Sequence, residues 1–168
     1  MRSVHSSTAR INRGWGSVVK VADILAIKGS VVFTIKPSET IGTLSQLLRD
    51  KRIGAAIVSR DGKTVDGVIS ERDIAYGLAV QRADLHSMLV SALMTKTVIT
   101  CSPSDDIAKV ASTMLSRNIR HLPVNDDDRL VGMVSMRDVL NVRLDELQRE
   151  TAQLRNFVSQ TDREPQDR

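Results

Sequence analysis

Two kinds of apolar spacing alternate along the chain and predict alternating helices and strands. Over 41–48 and again over 107–114, apolar residues recur at intervals of three and four, the spacing of an amphipathic helix. Ser38 and Ser104 each follow a proline just before these segments and are expected to cap the helices. Downstream, apolar runs flank polar turn signals, which predicts hairpins. Each half of the chain therefore predicts the order strand, helix, strand, strand, helix.

The two halves match because the sequence contains a duplication. Segments 67–73 and 132–138 share glycine, serine, arginine and aspartate at corresponding positions, and in each the strand-like run ends at the serine. A second pair of corresponding segments, 21–25 and 90–94, lies before the first strand of each half. Such self-similarity indicates a repeated supersecondary unit. The expected fold class is α/β (α+β), with two pseudo-symmetric repeats packed as one module and a C-terminal amphipathic helix.

The duplication divides the chain into two repeats, a linker and two ends. The length of 168 residues is close to the usual size of one domain, so the repeats are expected to share one body. The predicted divisions are a basic flexible N-terminal arm at 1–20, repeat 1 at 21–79, a linker at 80–89, repeat 2 at 90–147, a continuation of the C-terminal helix at 148–160 and a disordered tail at 161–168.

Each repeat ends its last strand with the motif Gly-x-x-Ser-x-x-Asp and then begins a helix. This corner has two interpretations. In the first, serine and aspartate form a capping box that only satisfies the free N–H groups of the first helical turn. In the second, they hold a ligand at the helix N-terminus. Gly67 and Gly132 favour the ligand, because close approach of a ligand to the backbone requires glycine whereas capping does not.

Together these motifs resemble the tandem cystathionine-β-synthase (CBS) domain pair, in the form of a stand-alone regulatory protein. The similarity covers 21–147 and includes the proline before each helix, the His-Leu-Pro-Val strand at 121–124 and both corners. The first repeat departs from it at Ile57, where the second has Pro123. The resemblance implies a module that binds adenosine-containing nucleotides, of the AMP, ADP, ATP or NAD class, in clefts between the repeats. Such a nucleotide would be a ligand that changes the shape of the module, and the module would require no cofactor.

The resemblance also assigns roles to the corner residues, and the chemistry of a nucleotide suggests the rest. It implies that Asp73 and Asp138 hold ribose hydroxyls while the serines face ribose or phosphate. Adenine needs an apolar slot, for which the expected strands at 32–35 and 99–101 are candidates, and phosphates need a helix N-terminus with guanidinium groups. The predicted nucleotide-binding residues are Thr34, Ile35, Gly54, Ala55, Ala56, Ser70, Arg72, Asp73, Thr100, Arg120, His121, Leu122, Pro123, Ser135, Arg137 and Asp138.

The two sites are expected to differ in charge. Arg120 and His121 stand where the first repeat has Gly54 and Ala55, so one site gains positive charge and hydrogen-bond donors. We group Arg120 with the second corner, at 132–138. The site that contains Arg120 is expected to favour ligands with more phosphates.

Net positive charge is confined to the N-terminal arm. The chain has 24 basic and 20 acidic residues, and four of the basic residues but none of the acidic ones lie in 1–20. The alternatives to a flexible arm are a transit peptide and a nucleic-acid contact. The arm lacks the aromatic residues interleaved with basic ones that are typical of nucleic-acid binding, which counts against the second alternative. The single cysteine, Cys101, fits a reducing compartment. A cytoplasmic location is expected, or an organellar one if the arm is a transit peptide.

The sequence indicates binding rather than catalysis. Its three histidines, His5, His86 and His121, are scattered, and it has no ligand pair at metal spacing, no nucleophile triad and no Walker-type loop. No apolar stretch approaches the roughly 20 residues of a membrane span. We expect no enzyme activity, no metal site and no membrane insertion.

An apolar stripe runs along the C-terminal segment, where residues recur at steps of four and three. Its members are Leu140, Leu144, Leu147, Thr151, Leu154 and Val158. This heptad spacing needs a partner surface, which is either the chain's own core or a second subunit. A homodimer is the preferred prediction. The alternative function for the chain is accordingly a ligand-free dimerisation scaffold, with this helix recruiting an unidentified regulated protein.

Overall fold

The computed structural model describes residues 18–80 and 84–161, so most of the predicted arm, part of the linker and nearly all of the tail lie outside it. Its elements are α1 (Val21–Lys28), β1 (Thr34–Ile35), α2 (Ile41–Lys51), β2 (Ala55–Val58), β3 (Gly67–Ser70), α3 (Glu71–Val80), α4 (Val90–Leu93), α5 (Ile107–Ser116), β4 (His121–Asp126), β5 (Arg129–Ser135) and α6 (Met136–Thr161). A 3-10 turn, Leu85–Ser87, precedes α4. The predicted α+β class is confirmed.

Each repeat contributes a small sheet whose last two strands form a hairpin. In the first sheet β1 runs parallel to β2, and β3 is antiparallel to β2 with Ser70 opposite Ala55. In the second, β4 and β5 are antiparallel with Ser135 opposite His121. The expected first strand of the second repeat is shorter than predicted, since Cys101 alone forms a parallel bridge to β4. Both corner serines therefore end a strand at equivalent places.

The expected helix caps, Ser38 and Ser104, are wrong because each proline begins a turn rather than a helix. In the first repeat the N–H of Glu39 donates to the carbonyl of Lys36 at 3.1 Å, which closes a four-residue turn with proline in its second position. The second repeat closes the same turn. α2 begins later and is capped by Thr40, whose hydroxyl accepts a hydrogen bond from a backbone N–H of the first turn.

Each repeat is completed by a helix from outside it in sequence. α1, which precedes the first repeat's sheet, packs on the second repeat, and α4, which precedes the second, packs on the first. The buried residues of the first core are Ile35, Ile41, Leu44, Leu48, Ala56, Val58, Ile69, Leu85 and Val90. Those of the second core are Val21, Ile24, Cys101, Ile107, Val110, Met114, Leu122, Val124, Val134, Val139 and Val142. The repeats thus exchange helices within one chain.

This exchange adds residues outside the two predicted repeats to the packed part of the chain. Leu85 and Met88, assigned to the linker, pack in the first core. Val19 and Lys20, assigned to the flexible arm, are held on the second repeat, where Val19 packs against the core and Lys20 forms an ion pair with Asp106. The end of the linker is therefore part of the fold, and so are the last residues of the arm. The rest of the arm lies outside the described residues.

The corner glycines leave room for the exchanged segments to pack closely on the strands. A Cβ on Gly132 would lie 2.6 Å from Cδ2 of Leu25 in α1. A Cβ on Gly67 would lie 2.9 Å from Sδ of Met94, just after α4, and 2.9 Å from the carbonyl oxygen of Thr95. The space over each glycine is therefore filled by the chain itself. The expectation that these glycines admit a ligand is wrong.

The long helix α6 has one buried face and one exposed apolar face. Val139 and Val142 are buried in the second core. Four members of the predicted stripe are between 54% and 67% exposed: Leu140, Leu144, Leu147 and Leu154. The alternative that the stripe packs on the chain's own core is therefore wrong for these leucines, and the side chain of Val158 lies outside the described residues. No helix in the described ranges is long and apolar enough to cross a membrane.

Alanine substitution of the two corner glycines tests the packing of the exchanged segments. Gly67→Ala places a methyl group against the carbonyl of Thr95, which is held by its bridge to β3. For Gly132→Ala the three atoms nearest to the new methyl group all belong to the side chain of Leu25, which can change rotamer. Overpacking costs about 1–3 kcal/mol, so we expect Gly67→Ala near the upper end and Gly132→Ala near the lower end. Urea unfolding measures both, and equal losses would contradict this account.

Candidate functional site

The two Ser-x-x-Asp corners share two local hydrogen bonds. The backbone N–H and the hydroxyl of Ser70 each donate to Oδ2 of Asp73 at 2.7 Å. In the second corner the same groups of Ser135 each donate to Oδ2 of Asp138 at 2.8 Å. Both corners therefore form the half of the capping box in which the aspartate accepts the serine N–H, and only the second adds the other half, from the N–H of Asp138 to the hydroxyl of Ser135 at 3.3 Å. The bonds from the serines use one oxygen of each carboxylate, and no hydrogen bond among the described residues ends on either Oδ1.

A cleft of about 220 Å³ lies beside the first corner. One wall comes from β3 and the start of α3, and the other from the segments that follow α4 and precede β4. Its lining residues are Gly54, Val68, Ser70, Glu71, Arg72, Asp73, Thr95, Thr97, Val98, Ile99, Asn118, Ile119, Arg120 and His121. Asp73 therefore borders a space to which both halves of the chain contribute.

The predicted site residues are distributed over four places. Six of them line this cleft: Gly54, Ser70, Arg72, Asp73, Arg120 and His121. Four are buried in the strands: Ala55, Ala56, Leu122 and Pro123. Three lie in a separate groove of the first repeat or on the surface: Thr34, Ile35 and Thr100. The remaining three belong to the second corner: Ser135, Arg137 and Asp138.

Arg120 lies in the cleft of the first corner, so its predicted grouping with the second corner is wrong. The cause is a contact between the halves. The guanidinium of Arg72 donates to the carbonyl of Asn118 at 3.0 Å, which holds the segment before β4 against the first corner. The positive charges of Arg72 and Arg120 therefore share one cleft.

Sequence reasoning did not name half of the cleft lining. The missed residues are Val68, Glu71, Thr95, Thr97, Val98, Asn118 and Ile119, whereas Ile99 belongs to the candidate strand. Glu71 carried a usable signal, since it lies inside the repeated heptapeptide where the second repeat has Met136. Asn118 has a φ of 50°, a left-handed conformation that asparagine tolerates just after a helix. The segment 95–98 had no local signal, because its place depends on where α4 packs.

His121 lies half-buried at the edge of the cleft, among charges from both corners. Burial lowers the pKa of His121, and the positive charges of Lys28 and Arg120 lower it further, while Asp138 and Glu71 oppose the change. A Cβ on the facing glycine, Gly54, would lie 3.4 Å from the imidazole Cε1. The imidazole is therefore mainly neutral at pH 7, and a neutral ring can donate one hydrogen bond and accept another.

The second corner carries an ion pair at its aspartate. Nζ of Lys28, the last residue of α1, lies 2.7 Å from Oδ2 of Asp138. Burial would raise the pKa of Asp138, but hydrogen bonds from Lys28 and Ser135 outweigh that effect and hold the pKa below its ordinary value. No ion pair among the described residues involves Asp73. The two corners therefore present their carboxylates in different states.

The side chains of the cleft suit a ligand with an apolar ring, vicinal hydroxyls and an anionic group. Asp73 can accept hydrogen bonds, and Arg72 and Arg120 can donate to an anion. The apolar part of the lining comes from Val68, Val98, Ile99 and Ile119. In the part of the chain that the structure describes, no group of three His, Cys, Asp or Glu residues is arranged to hold a metal ion.

The thiol of Cys101 takes no part in this site. It is buried in the second core, and burial, with a smaller contribution from Asp105, raises its pKa to about 12. A thiol with such a pKa remains protonated at neutral pH and is a poor nucleophile.

A model of the CBS domain family matches this chain twice, at 21–79 and 90–145. The two matched ranges contain both hairpins and both corners. The chain therefore belongs to the CBS domain family and contains a tandem CBS pair.

Solved structures of CBS pairs share the fold. The CBS-domain containing protein ATU1752 from Agrobacterium tumefaciens is 34% identical, with a TM-score of 0.73, and the match covers 79% of this chain and 99% of that one. The CBS domain pair of protein MJ0100, solved in complex with 5-methylthioadenosine and S-adenosyl-L-methionine, is 28% identical, with a TM-score of 0.67 and coverage of 75% and 96%.

Relatives known by sequence include the mitochondrial CBS domain-containing protein CBSX3 of Arabidopsis thaliana. It is 26% identical over 94% of this chain and 80% of its own length. An uncharacterized protein of Methanopyrus kandleri is 29% identical over 66% of this chain, and the match spans 57% of that protein's length.

Titration of His121 tests the environment at the edge of the cleft. Because its pKa in the folded protein lies below the ordinary 6.5, the unfolded chain binds more protons than the folded protein as the pH falls past that value. The folded state is thus most favoured above pH 6.5 and loses stability below it. We expect NMR to give a pKa under 6.5, and His121→Asn to flatten the slope of unfolding free energy between about pH 5 and 7. An unchanged slope would contradict this.

Proposed function

We propose that this CBS pair is a regulatory module that binds an adenosine-containing nucleotide in the cleft at Asp73. One observation carries the proposal: Asp73 lines a cleft between the halves, while its Oδ1 accepts no hydrogen bond from the described residues. A ribose diol offers two O–H donors, and a fixed carboxylate is their natural acceptor. Capping alone leaves that oxygen without a role.

The rest of a nucleotide has matching groups in the same cleft. An adenine ring can lie between apolar side chains such as Val98 and Ile119. Phosphates can lie near the N-terminus of α3, close to Arg72 and Arg120, where backbone N–H groups and guanidinium groups act together. We therefore propose AMP, ADP, ATP or NAD as the ligand class. The bound adenosine ligands of protein MJ0100 support an adenosine-containing ligand in general.

Binding in this cleft supports a signalling role without chemistry on the ligand. The lining comes from two halves that touch across the cleft through Arg72 and Asn118. A ligand that contacts both walls favours the arrangement in which they are closest, and it shifts the population of shapes accordingly. We propose this shift as the signal, read by a regulated protein that is not identified, and we propose no enzyme activity.

The exposed leucines of α6 support a homodimer and favour one alternative function. Leu140, Leu144 and Leu147 form a stripe that is more than half exposed in the single chain. Apolar stripes with heptad spacing are covered in helix pairs. We propose that a second copy covers this stripe. A ligand-free dimerisation scaffold remains the second candidate function, and it predicts the same dimer without the nucleotide.

We propose a cytoplasmic location for the module, in keeping with its single buried thiol, Cys101. The organellar alternative depends on residues 1–20 being a transit peptide, and 1–17 lie outside the described part of the chain. We propose no contact with nucleic acid.

Asp73→Ala tests the nucleotide site. Removing charge-assisted hydrogen bonds of about 1.5–3 kcal/mol should weaken AMP binding roughly ten- to a hundredfold. Isothermal titration calorimetry of the full chain measures the affinity, and urea unfolding shows that the variant remains folded.

Asp105→Ala is the matched control. The carboxylate of Asp105 accepts the N–H of Ser102 at 2.8 Å, as Asp73 accepts that of Ser70, but Asp105 does not line the cleft. Each variant should lose about 1 kcal/mol of stability with its local hydrogen bond. Only Asp73→Ala should lose AMP affinity. Full affinity in folded Asp73→Ala would falsify the proposed role of Asp73 and leave the scaffold as the better function.

Leu147→Asp tests the dimer. Light scattering of the full chain, whose subunit mass is 18.5 kDa, should give twice that mass, and a charge in the stripe should shift it toward the monomer. Leu115→Asp is the control, because Leu115 is 72% exposed on α5 and lies outside the stripe. A native chain that is monomeric at micromolar concentration would rule out the dimer, and equal effects of the two variants would rule out the stripe as its contact.

A further inference from the structure

Lys28 and Thr97 lie at the same distance along the chain from the two residues that pack on the corner glycines. The correspondence comes from the exchanged segments: Leu25 packs on Gly132 as Met94 packs on Gly67. Counting three residues onward from each gives Lys28 and Thr97. Lys28 is the last residue of α1, whereas Thr97 lies four residues after the end of α4, so the chain reaches the two corners in different conformations.

The two residues meet their corners with different chemistry. Thr97 is neutral and lines the open cleft at Asp73. The ammonium of Lys28 lies 2.7 Å from Oδ2 of Asp138, with 33% of the lysine side chain and 20% of the aspartate side chain exposed. This Oδ2 also accepts both donors of Ser135, so three donors converge on one oxygen. Oδ1 of Asp138, like that of Asp73, accepts no hydrogen bond among the described residues, so what distinguishes the second corner is the ammonium, a charged donor that competes with a ribose hydroxyl for the same carboxylate.

We infer that Lys28 is a built-in competitor that closes the second corner to ribose, so that the module binds one adenosine ligand, at Asp73, while this ion pair is intact. The inference rests on the proposed nucleotide function. A ligand at the second corner must displace an ammonium that is partly shielded from water, whereas a ligand at the first corner displaces no such group. The difference between the sites then lies in Lys28 as well as in Arg120.

Lys28→Thr removes the ammonium and gives position 28 the residue type of Thr97, which tests this directly. Isothermal titration calorimetry with AMP should give one equivalent for the native chain and two for Lys28→Thr. The added site should vanish in Lys28→Thr/Asp138→Ala, and its affinity should exceed that of the native second corner at least tenfold. Lys28→Met, which keeps the length of the side chain without its charge, should also open the site.

Adenosine, which has no phosphate, separates competition from phosphate binding. If Lys28 only competes for Asp138, its replacement by threonine strengthens binding of both adenosine and AMP at the second corner. Weaker AMP binding with unchanged adenosine binding would show that Lys28 serves a phosphate, and it would overturn the inference. Two equal sites in the native chain, or one site in both lysine variants, would overturn it as well.

These outcomes separate the inference from the function on which it rests. Suppose that the native chain binds one AMP, that Asp73→Ala binds none and that Lys28→Thr still binds one. The proposed competition by Lys28 is then wrong, while the nucleotide function stands. If the native chain binds no AMP but Lys28→Thr binds one through Asp138, the proposed function at Asp73 is wrong and the competition by Lys28 stands. No AMP bound by either chain sinks both.

Discussion

The exchange of α1 and α4 between the repeats is the contact on which both cores depend. Val21 and Ile24 complete one core, and Leu85 with Val90 complete the other. Burial of one aliphatic side chain contributes about 1.5–3 kcal/mol, so either pair represents a large part of the 5–15 kcal/mol that is typical for a whole domain. The two repeats are therefore one cooperative body, and its boundaries do not coincide with the boundaries of the duplication.

The same exchange builds the cleft. After α4 completes the first core, the chain must cross to the second repeat, and on the way Thr95 pairs with β3 and the next residues line the cleft. Arg72 then reaches Asn118 from the opposite wall. The first corner thus lies where the backbone passes from one half to the other. At the second corner the corresponding crossing begins with Lys28, whose ammonium is already paired.

The sequence predicted the features that depend on neighbours along the chain. Ser70 and Asp73 meet because they are three residues apart at the start of a helix, so their spacing alone implies the contact. The place of Arg120 does not follow from spacing, since it depends on which half packs against which. Gly67 was misassigned for a related reason. A glycine shows that something approaches the backbone closely, but the sequence does not distinguish a methionine sulfur from a ligand.

Joining two repeats in one chain also decides how far they can differ. Two separate copies of one repeat could complete each other's cores only by meeting in solution, and identical copies would carry the same residue at both corners. A covalent connection holds the partners together at an effective concentration on the order of millimolar, whatever the dilution of the protein. It also lets each half mutate alone. Threonine at one crossing and lysine at the other is a difference that no symmetric pair of identical repeats could contain.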